Sequence, residues 1–322
     1  MNISFLDGFT INPGDLDWES IGRLGHLSVY DRTATEQVVE RAQNADVVIV
    51  NKTPLQKEHF DKLPQLKLVC VAATGYDKID LQAADAHGVT VTNCAGYSSR
   101  AVAQLVASFV LEVADTVSEY AEANRHGKWT QSPDFCYTLH NRVELVGKKF
   151  AVVGFGNIGR TVTDVMRPLG LQLYAVTSKS QDQLPADVTK VTMAEAFADM
   201  DFVSLNCPLT AANREFVNAE LLQYANPNLV LINTARGGLI SEQDVADALK
   251  ASKLGAYCAD VLTEEPPKAS CPLLSAPRCL ITPHIGWNTP EARQRIISIL
   301  VDNICNYFTG RPISVVNHPV HT

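Results

Sequence analysis

The chain lacks the features that mark membrane, secreted and nucleic-acid-binding proteins. No apolar run reaches the roughly 18 residues that a membrane-spanning helix needs. The first residues, 1–7, have neither the basic flank nor the long apolar stretch of a signal peptide. With 35 acidic against 27 basic residues the formal charge is −8, so no basic stripe is available to neutralise a phosphate backbone. We therefore expect a cytoplasmic protein that binds neither membrane nor nucleic acid.

The eight cysteines form no metal-binding or disulfide pattern. None belongs to a C-x-x-C motif, and no histidine cluster accompanies them. Several lie in or beside apolar runs, as Cys70 and Cys258 do, where a free cysteine behaves as a small hydrophobic residue. The sequence thus predicts reduced, mostly buried thiols and no metal site.

Short apolar runs alternate with helical patterns along almost the whole chain, which is typical of βα units and a parallel sheet. At 322 residues the chain is long for a single core, so we expect two domains. Strands are predicted at 47–50, 68–71, 89–91, 150–153, 171–176, 202–205, 229–233, 255–259 and 279–282. Helices are predicted at 35–45, 80–87, 99 to about 123, 158–167 and 290–308, the last ending at Thr309-Gly310-Arg311-Pro312.

The most informative segment is a strand that runs directly into G-x-G-x-x-G and then into a helix. In this context Gly154 permits a tight turn, Gly156 lets the backbone approach a pyrophosphate, and Gly159 lets the helix pack closely on the strand. The free N–H groups at the helix start favour an anion. A lone glycine pattern is often only a turn, but here the flanking elements predict dinucleotide binding. The predicted loop residues are Gly154, Phe155, Gly156, Asn157, Ile158 and Gly159.

One position departs from the usual pattern of an NAD site. Such sites commonly carry Asp or Glu about 20 residues after the glycines, where it binds the ribose hydroxyls. Here the strand at 171–176 ends in Thr177, Ser178 and Lys179, without an acid. Lys179 and the two hydroxyls could accept a 2′-phosphate, although Lys179 could equally be a solvated surface residue. We predict NAD as the preferred cofactor, NADP as possible, and weak discrimination between them.

Polar side chains follow three later predicted strands: Arg236 after 229–233, Glu265 after 255–259 and His284 after 279–282. In open parallel sheets ligands bind outside the carboxyl ends of the strands. A guanidinium there can hold a carboxylate and polarise the neighbouring carbonyl, and an imidazole can transfer a proton near neutral pH. A carboxylate paired with that imidazole fixes its tautomer and favours its protonated form. Each residue alone could be structural, but together they suit hydride transfer at a 2-keto or 2-hydroxy acid.

These motifs resemble those of the D-2-hydroxyacid dehydrogenase family. The likeness covers nearly the whole chain and rests on the glycine motif and on N-T-A-R-G (233–237), D-V-L-x-x-E-P-P (260–267) and P-H-I-G-W (283–287). It implies that Arg236 binds substrate, Glu265 tunes the histidine and His284 is the acid/base. For the cofactor it implies contacts from Thr177, Ser178, Cys207, Pro208, Thr234, Ala235, Asp260, His284 and Gly286. For the substrate it implies Thr74 and Gly75 beside Arg236 and His284.

The resemblance also implies an architecture of two Rossmann-like, doubly wound parallel-sheet domains with the active site in the cleft between them. The substrate domain would be discontinuous, 1–97 plus 288–322, and 98–287 would form the dinucleotide-binding domain. Family members are usually homodimers joined through the dinucleotide domains. The apolar helix after Ser98 suits such an interface, although it could equally be an internal core element.

Within the family the chain most resembles enzymes that act on glycerate and hydroxypyruvate, through 132–137 and Glu264-Glu265-Pro266-Pro267. We therefore predict an oxidoreductase that interconverts a small D-2-hydroxy acid and its 2-keto acid, glycerate/hydroxypyruvate or glyoxylate. Two alternatives remain open. One is a dehydrogenase of a bulkier 2-hydroxy acid, and the other is an NAD(H)-sensing binding protein of the same fold.

Overall fold

The computed structural model describes residues 1–319, which form two compact α/β units. One unit comprises residues 1–98 together with the described residues from 287 onward, and the other comprises 99–286. The strands are β1 (Asn2–Phe5), β2 (His26–Val29), β3 (Val47–Val50), β4 (Leu68–Val71), β5 (Thr90–Asn93), β6 (Lys149–Val153), β7 (Gln172–Val176), β8 (Val188–Lys190), β9 (Phe202–Leu205), β10 (Val230–Asn233), β11 (Ala256–Ala259) and β12 (Cys279–Ile281). The helices are α1 (Glu19–Gly22), α2 (Val38–Ala42), α3 (Lys57–Phe60), α4 (Leu81–Ala86), α5 (Ser99–Asp115), α6 (Val117–Arg125), α7 (Asn157–Met166), α8 (Met193–Asp199), α9 (Ala219–Leu222), α10 (Glu242–Lys250) and α11 (Pro290–Phe308).

The discontinuous unit is built on a five-stranded parallel sheet in the order β2-β1-β3-β4-β5. Its central strands β3 and β4 are buried at every position, because helices cover both faces of a parallel sheet. Continuous apolar runs are the local signal of such strands, and both were predicted with these boundaries. β1 and β2 were missed, because polar residues interrupt their apolar runs and β2 lies at the edge of the sheet.

Helix α11 belongs to this first unit, a return that the sequence pattern alone did not reveal. Arg293 is 6% exposed and donates to both carboxylate oxygens of Asp15, at 2.7 and 2.6 Å, and to the carbonyl of Ile11. The amide of Asn303 donates to the backbone carbonyl of Asn93 at the end of β5. These contacts join α11 to the N-terminal part of the same unit.

The second unit contains a seven-stranded parallel sheet in the order β12-β11-β10-β9-β6-β7-β8. The chain runs outward from β6 in one direction and then from β9 in the other, so the strand order reverses between β6 and β9. Loops that leave the carboxyl ends of strands at such a point diverge and leave room for a ligand. The predicted strands of this unit are all present within one or two residues, and the short edge strand β8 was missed.

The predicted helix from Ser99 to about Ala123 is broken, which corrects the sequence prediction. Thr116 has φ +47°, and the chain restarts as α6. The carbonyl of Ala114, which would have accepted the N–H four residues later, accepts the N–H of Val143 instead. Within α5, Val106, Phe109 and Val110 are buried in the core of the unit, so this apolar face is an internal one.

No single helix within residues 1–319 has the length and hydropathy to cross a membrane. Taken together, Ser99–Asp115 and Val117–Arg125, which meet at a bend of 58°, pass that test by length and composition only.

Candidate active site

The glycine turn joins β6 to α7, and its three glycines differ in what a side chain at each position would meet. Gly154 has φ +98°, and a Cβ there would lie 2.8 Å from the carbonyl oxygen of Asn206 in the neighbouring loop. A Cβ on Gly159 would lie 2.0 Å from the carbonyl oxygen of Gly154, so only glycine lets the helix approach the turn. At Gly156 a Cβ would meet nothing within 4 Å, which leaves this stretch of backbone open to a ligand.

The start of α7 is arranged to receive an anion. Gly156 is the N-cap residue and supplies no side chain to satisfy the free N–H groups of the first turn. Gly156 and Asn157 are exposed, Ile158 is half-buried and Phe155 is buried. The residues present therefore fit a dinucleotide, whose pyrophosphate would be held at the positive end of the helix.

Arg236 follows β10 in a segment that is held by the buried side chain of Asn233. The amide of Asn233 accepts the N–H of Ala235 at 3.1 Å and donates to the carbonyl of Arg236 at 2.9 Å. Within residues 1–319 the guanidinium of Arg236 forms no ion pair, and it donates a hydrogen bond to the carbonyl of Ala235. The charge of this side chain thus stays available to an anionic ligand.

His284 and Glu265 form the pair that the sequence predicted. Nδ1 of His284 lies 2.6 Å from Oε2 of Glu265, and Oε1 of Glu265 accepts the N–H of Leu262 at 2.9 Å. Both side chains are part-exposed, at 27% and 37%. His284 has φ +56°, an unusual conformation for a non-glycine residue that is often found at functional positions. The pairing holds Nδ1 and leaves Nε2 as the nitrogen available for proton transfer.

Asp260 organises the turn that carries His284. Its buried carboxylate accepts the Thr282 hydroxyl at 2.6 Å and the backbone N–H groups of Ile285 and Gly286, each at 2.8 Å. A Cβ on Gly286 would lie 3.0 Å from Oδ2 of Asp260, so the turn passes close to the carboxylate. Asp260 therefore shapes the histidine loop, a role that the sequence did not predict.

The three predicted catalytic residues follow adjacent strands, because the sheet order places β10, β11 and β12 side by side. The loops after β10 and β11 also touch: a Cβ on Gly237 would lie 2.0 Å from the carbonyl carbon of Leu262. Gly237 permits this backbone contact between the arginine segment and the glutamate segment. Sequence reasoning assigned no role to Asn233, Gly237 or Thr282, although each lies within or beside a quoted motif.

The remaining predicted cofactor residues surround the carboxyl edge of the same sheet. Thr177 and Ser178 follow β7, Cys207 and Pro208 follow β9, and Thr234 and Ala235 follow β10. Burial raises the pKa of the Cys207 thiol, so this cysteine stays protonated near neutral pH. Two buried atoms here, Oδ1 of Asn206 and Oγ1 of Thr234, have no hydrogen-bond partner within the described chain. Such orphaned polar atoms fit a site that a polar cofactor completes.

Thr74 and Gly75 lie in the other unit, in the loop after β4. The Thr74 hydroxyl donates to the carbonyl of Cys94 at 3.1 Å, and Asn93 donates to the carbonyl of Thr74 at 2.8 Å. Thr74 is exposed and Gly75 half-buried, so their backbone is accessible to a ligand within that unit.

At the strand reversal of the discontinuous unit, between β1 and β3, a carboxylate of the chain occupies successive backbone N–H groups. After β1 the carboxylate of Asp7 accepts the backbone N–H groups of Asn51, Lys52 and Thr53, at 2.7, 2.6 and 2.7 Å. The N–H groups that could hold a phosphate are thus occupied by the chain's own anion.

Comparison with known proteins supports these assignments of fold and chemistry. Residues 107–286 match the family model described as D-isomer specific 2-hydroxyacid dehydrogenase, NAD binding domain. The chain is 37% identical to a hydroxypyruvate reductase of Blautia hydrogenotrophica, covering 98% of this chain and 100% of that one. It is 34% identical to a glycerate dehydrogenase of Methylorubrum extorquens, covering 89% and 90%.

Among solved structures, an acyclic imino acid reductase (Bsp5) in complex with NADPH and D-Arg superposes with a TM-score of 0.86. That protein is 26% identical, and the match covers 98% of this chain and all of the other. The predicted fold class and reaction class are confirmed. The chain belongs to the D-isomer-specific 2-hydroxyacid dehydrogenase family and is an NAD-dependent oxidoreductase of 2-hydroxy acids.

Proposed function

We propose that the protein reduces a small, polar 2-keto acid, hydroxypyruvate or glyoxylate, to the corresponding D-2-hydroxy acid. The observation that carries this proposal is the Glu265–His284 pair, together with the guanidinium of Arg236, which follows a strand of the same sheet and forms no ion pair within residues 1–319. The choice of substrate is supported by relatives named hydroxypyruvate reductase and glycerate dehydrogenase.

Arg236 is the residue that binds the substrate carboxylate and polarises the carbonyl. Its guanidinium matches a carboxylate in a bidentate manner, and a positive charge beside the carbonyl oxygen stabilises the negative charge that develops there. Substrate contacts from Thr74 and Gly75, in the loop after β4, are proposed on the family resemblance alone. The nicotinamide, when bound, supplies the hydride.

His284 is the proton donor in reduction and the acceptor in oxidation. Nδ1 is held by Glu265, so the proton delivered to the carbonyl oxygen comes from Nε2. Asp260 and Thr282 keep the loop of His284 in place. Oδ2 of Asp260 accepts one N–H, that of Gly286, and can accept a second hydrogen bond from the carboxamide N–H of the cofactor.

For the cofactor we assign the phosphate contacts to the turn 154–159 and the nicotinamide side to Cys207, Pro208, Thr234, Ala235 and Gly286. Thr177 and Ser178 would face the adenosine ribose. NAD is the family's cofactor, and NADP use is an additional expectation that follows from the missing acid after β7.

We further propose that the protein is a cytoplasmic homodimer whose interface includes the segment 111–146. Six large apolar side chains of this segment are exposed, and Phe135 is 88% exposed. The complete list is Leu111, Val117, Trp129, Phe135, Val143 and Val146. Several large apolar side chains exposed along one segment support a covered interface there. Sedimentation analysis should give twice the mass of the chain, and Phe135→Asp should shift it to monomer. A wild-type monomer would contradict the dimer.

The substrate proposal is tested by following NADH and NADPH oxidation with purified protein and a panel of 2-keto acids. Hydroxypyruvate or glyoxylate should be turned over at least tenfold more efficiently than pyruvate or a bulky 2-keto acid. Preference for the bulky acid would leave the mechanism standing and overturn the substrate. Tight NADH binding without turnover of any 2-keto acid would make the protein a cofactor sensor instead.

A further inference from the structure

An acid outside the proposed catalytic set, Glu242, contacts the segment that carries Glu265. Glu242 is the first residue of α10, and its Oε1 accepts the backbone N–H of Thr263 at 2.7 Å. Oε2 accepts the thiol of Cys271 at 3.4 Å, which fixes the carboxylate from its other side. The two partners lie 21 and 29 residues away along the chain.

The segment that Glu242 contacts lies at the surface. Residues 263–270 are all exposed, so tertiary packing contributes little to their position. Leu262, the last buried residue before them, donates its N–H to Oε1 of Glu265 at 2.9 Å. Thr263 is the next residue, and its N–H is the one that Glu242 accepts. The two successive amides therefore bind two different carboxylates, and together they define the turn.

The same stretch of chain also carries Arg236. Gly237 packs its backbone against Leu262, and Glu242 lies five residues later at the start of α10. The stretch 236–242 thus holds the turn 262–265 at two points, a steric contact at Gly237 and a hydrogen bond at Glu242. Any movement of the turn would change where Glu265 meets Nδ1 of His284.

We propose that Glu242 is a positioning residue that acts through the turn 262–265 on the Glu265–His284 pair. This inference rests on the proposed function, since it concerns the proton transfer assigned to His284. Loss of the carboxylate releases the N–H of Thr263 and lets the turn, and Glu265 with it, move. A misplaced donor slows the chemical step strongly even when substrate still binds. Glu242 itself touches neither substrate nor cofactor in this assignment.

The test compares Glu242→Ala, Glu242→Gln and Glu242→Asp with a matched control, Asp244→Ala. Asp244 lies in the same first turn of α10 and also accepts a backbone N–H, that of Ala219, at 2.9 Å, but it does not reach the turn 262–265. Glu242→Ala should lower kcat about tenfold with KM for the keto acid changed less than twofold. Glu242→Gln, which keeps an acceptor for Thr263, should recover most of kcat, and Asp244→Ala should keep it.

A double-mutant cycle with Glu265→Gln shows whether the effect passes through Glu265. If it does, Glu242→Ala should have much less effect on kcat in the Glu265→Gln background than in wild type. An equal effect in both backgrounds, or an unchanged kcat in Glu242→Ala alone, overturns the inference. Glu242→Asp keeps the charge and shortens the reach by one methylene, so it carries the same test if the alanine variant fails to fold.

Hydrogen exchange of the cofactor-free protein gives a readout independent of activity. Peptides that cover 260–267 should exchange faster in Glu242→Ala than in wild type or Asp244→Ala. Unchanged exchange there overturns the inference even if kcat falls. The turnover assay with wild-type protein separates the two proposals. Absence of turnover refutes the proposed reduction of 2-keto acids, whereas turnover that does not change in the Glu242 variants refutes only the positioning role of Glu242.

Discussion

At the scale of single residues, the proposed chemistry uses one guanidinium without an acidic partner among residues 1–319 and one histidine paired with a carboxylate. Arg236 has no acidic partner within residues 1–319, whereas the buried guanidinium of Arg293 is matched by Asp15. His284, by contrast, is already paired with Glu265. The structure thus distinguishes an arginine available for a ligand from one that serves the fold.

Replacing Arg236 tests that distinction. Arg236→Ala should lower kcat/KM for the 2-keto acid by at least about 10³-fold, because both the carboxylate contact and the charge beside the carbonyl are lost. Cofactor affinity, measured by NADH fluorescence, should stay within about threefold. Arg167→Ala is the matched control, since Arg167 pairs with Asp164 and Asp187 on the surface of the same unit. A variant that retains wild-type turnover would remove Arg236 from the mechanism.

Lys179 should decide how far the protein discriminates between NADH and NADPH. Its ammonium lies 5.6 Å from the ring centre of Phe155 in the glycine turn, and no acid takes the place usual in NAD enzymes. We expect wild-type catalytic efficiencies with the two cofactors to agree within about tenfold. Lys179→Glu should lower the efficiency with NADPH by a further factor of about ten or more, with less effect on NADH, since a carboxylate repels a 2′-phosphate.

Lys250→Glu, which reverses an exposed charge at the end of α10, controls for the change in net charge when the steady-state kinetics are compared. A wild-type preference for NADPH above a hundredfold would show that NAD is not the preferred cofactor.

At the scale of elements, two glycines of the β6–α7 turn have different roles: Gly159 is needed for packing, and Gly156 leaves backbone open to a ligand. Gly159→Ala places a methyl group 2.0 Å from a backbone oxygen, so the helix must move. The free energy of unfolding should fall by about 2 kcal/mol or more. Gly156 has φ −85° and open space around it, so Gly156→Ala should leave the thermal midpoint nearly unchanged and still weaken cofactor binding at least tenfold.

Thermal unfolding without cofactor and titration with NADH measure the two effects on each variant. Equal cofactor affinity in Gly156→Ala and wild type would show that no ligand approaches this backbone.

The break between α5 and α6 belongs to the same scale. It arises because a distant N–H, that of Val143, takes the carbonyl of Ala114, and the amphipathic pattern through Thr116 gives no sign of it.

At the scale of the whole molecule, the ion pair of Asp15 with Arg293 joins the N-terminal part of the discontinuous unit to α11. The Arg293 guanidinium lowers the pKa of the Asp15 carboxyl below its ordinary value near 3.8, chiefly through hydrogen bonding. A lowered pKa in the folded state stabilises the fold above pH 4, and this contribution is lost as the pH falls through the folded-state pKa.

Asp15→Asn should therefore lower the thermal midpoint at pH 7, and its difference from wild type should shrink below about pH 4. Asp31→Asn, at an exposed acid of the same unit, should show no such pattern. Scanning calorimetry between pH 3 and pH 7 measures both. A difference that stays constant over that range would mean that the ion pair does not contribute through its charge.

The sequence by itself determined the features that depend on neighbours along the chain. The glycine turn, the buried strands and the polar residues that follow β10, β11 and β12 are local patterns, because a strand, its turn and the next side chain are specified within about ten residues. The resemblance of these motifs to those of the D-2-hydroxyacid dehydrogenases was sufficient to predict the reaction class. The strands β1, β2 and β8 were not predicted, because polar residues interrupt their apolar runs.

Only the tertiary structure decided which distant groups meet. Glu242 and Thr263 are 21 residues apart, Asp7 and Asn51 are 44 apart, and Arg293 and Asp15 are 278 apart. In each case a side chain satisfies groups that the local sequence leaves open, and a carboxylate in a loop looks the same in the sequence whether it reaches an amide, an arginine or water. Folding brings these partners together, because a hydrogen bond between groups tens of residues apart forms only when the elements that carry them have packed against each other.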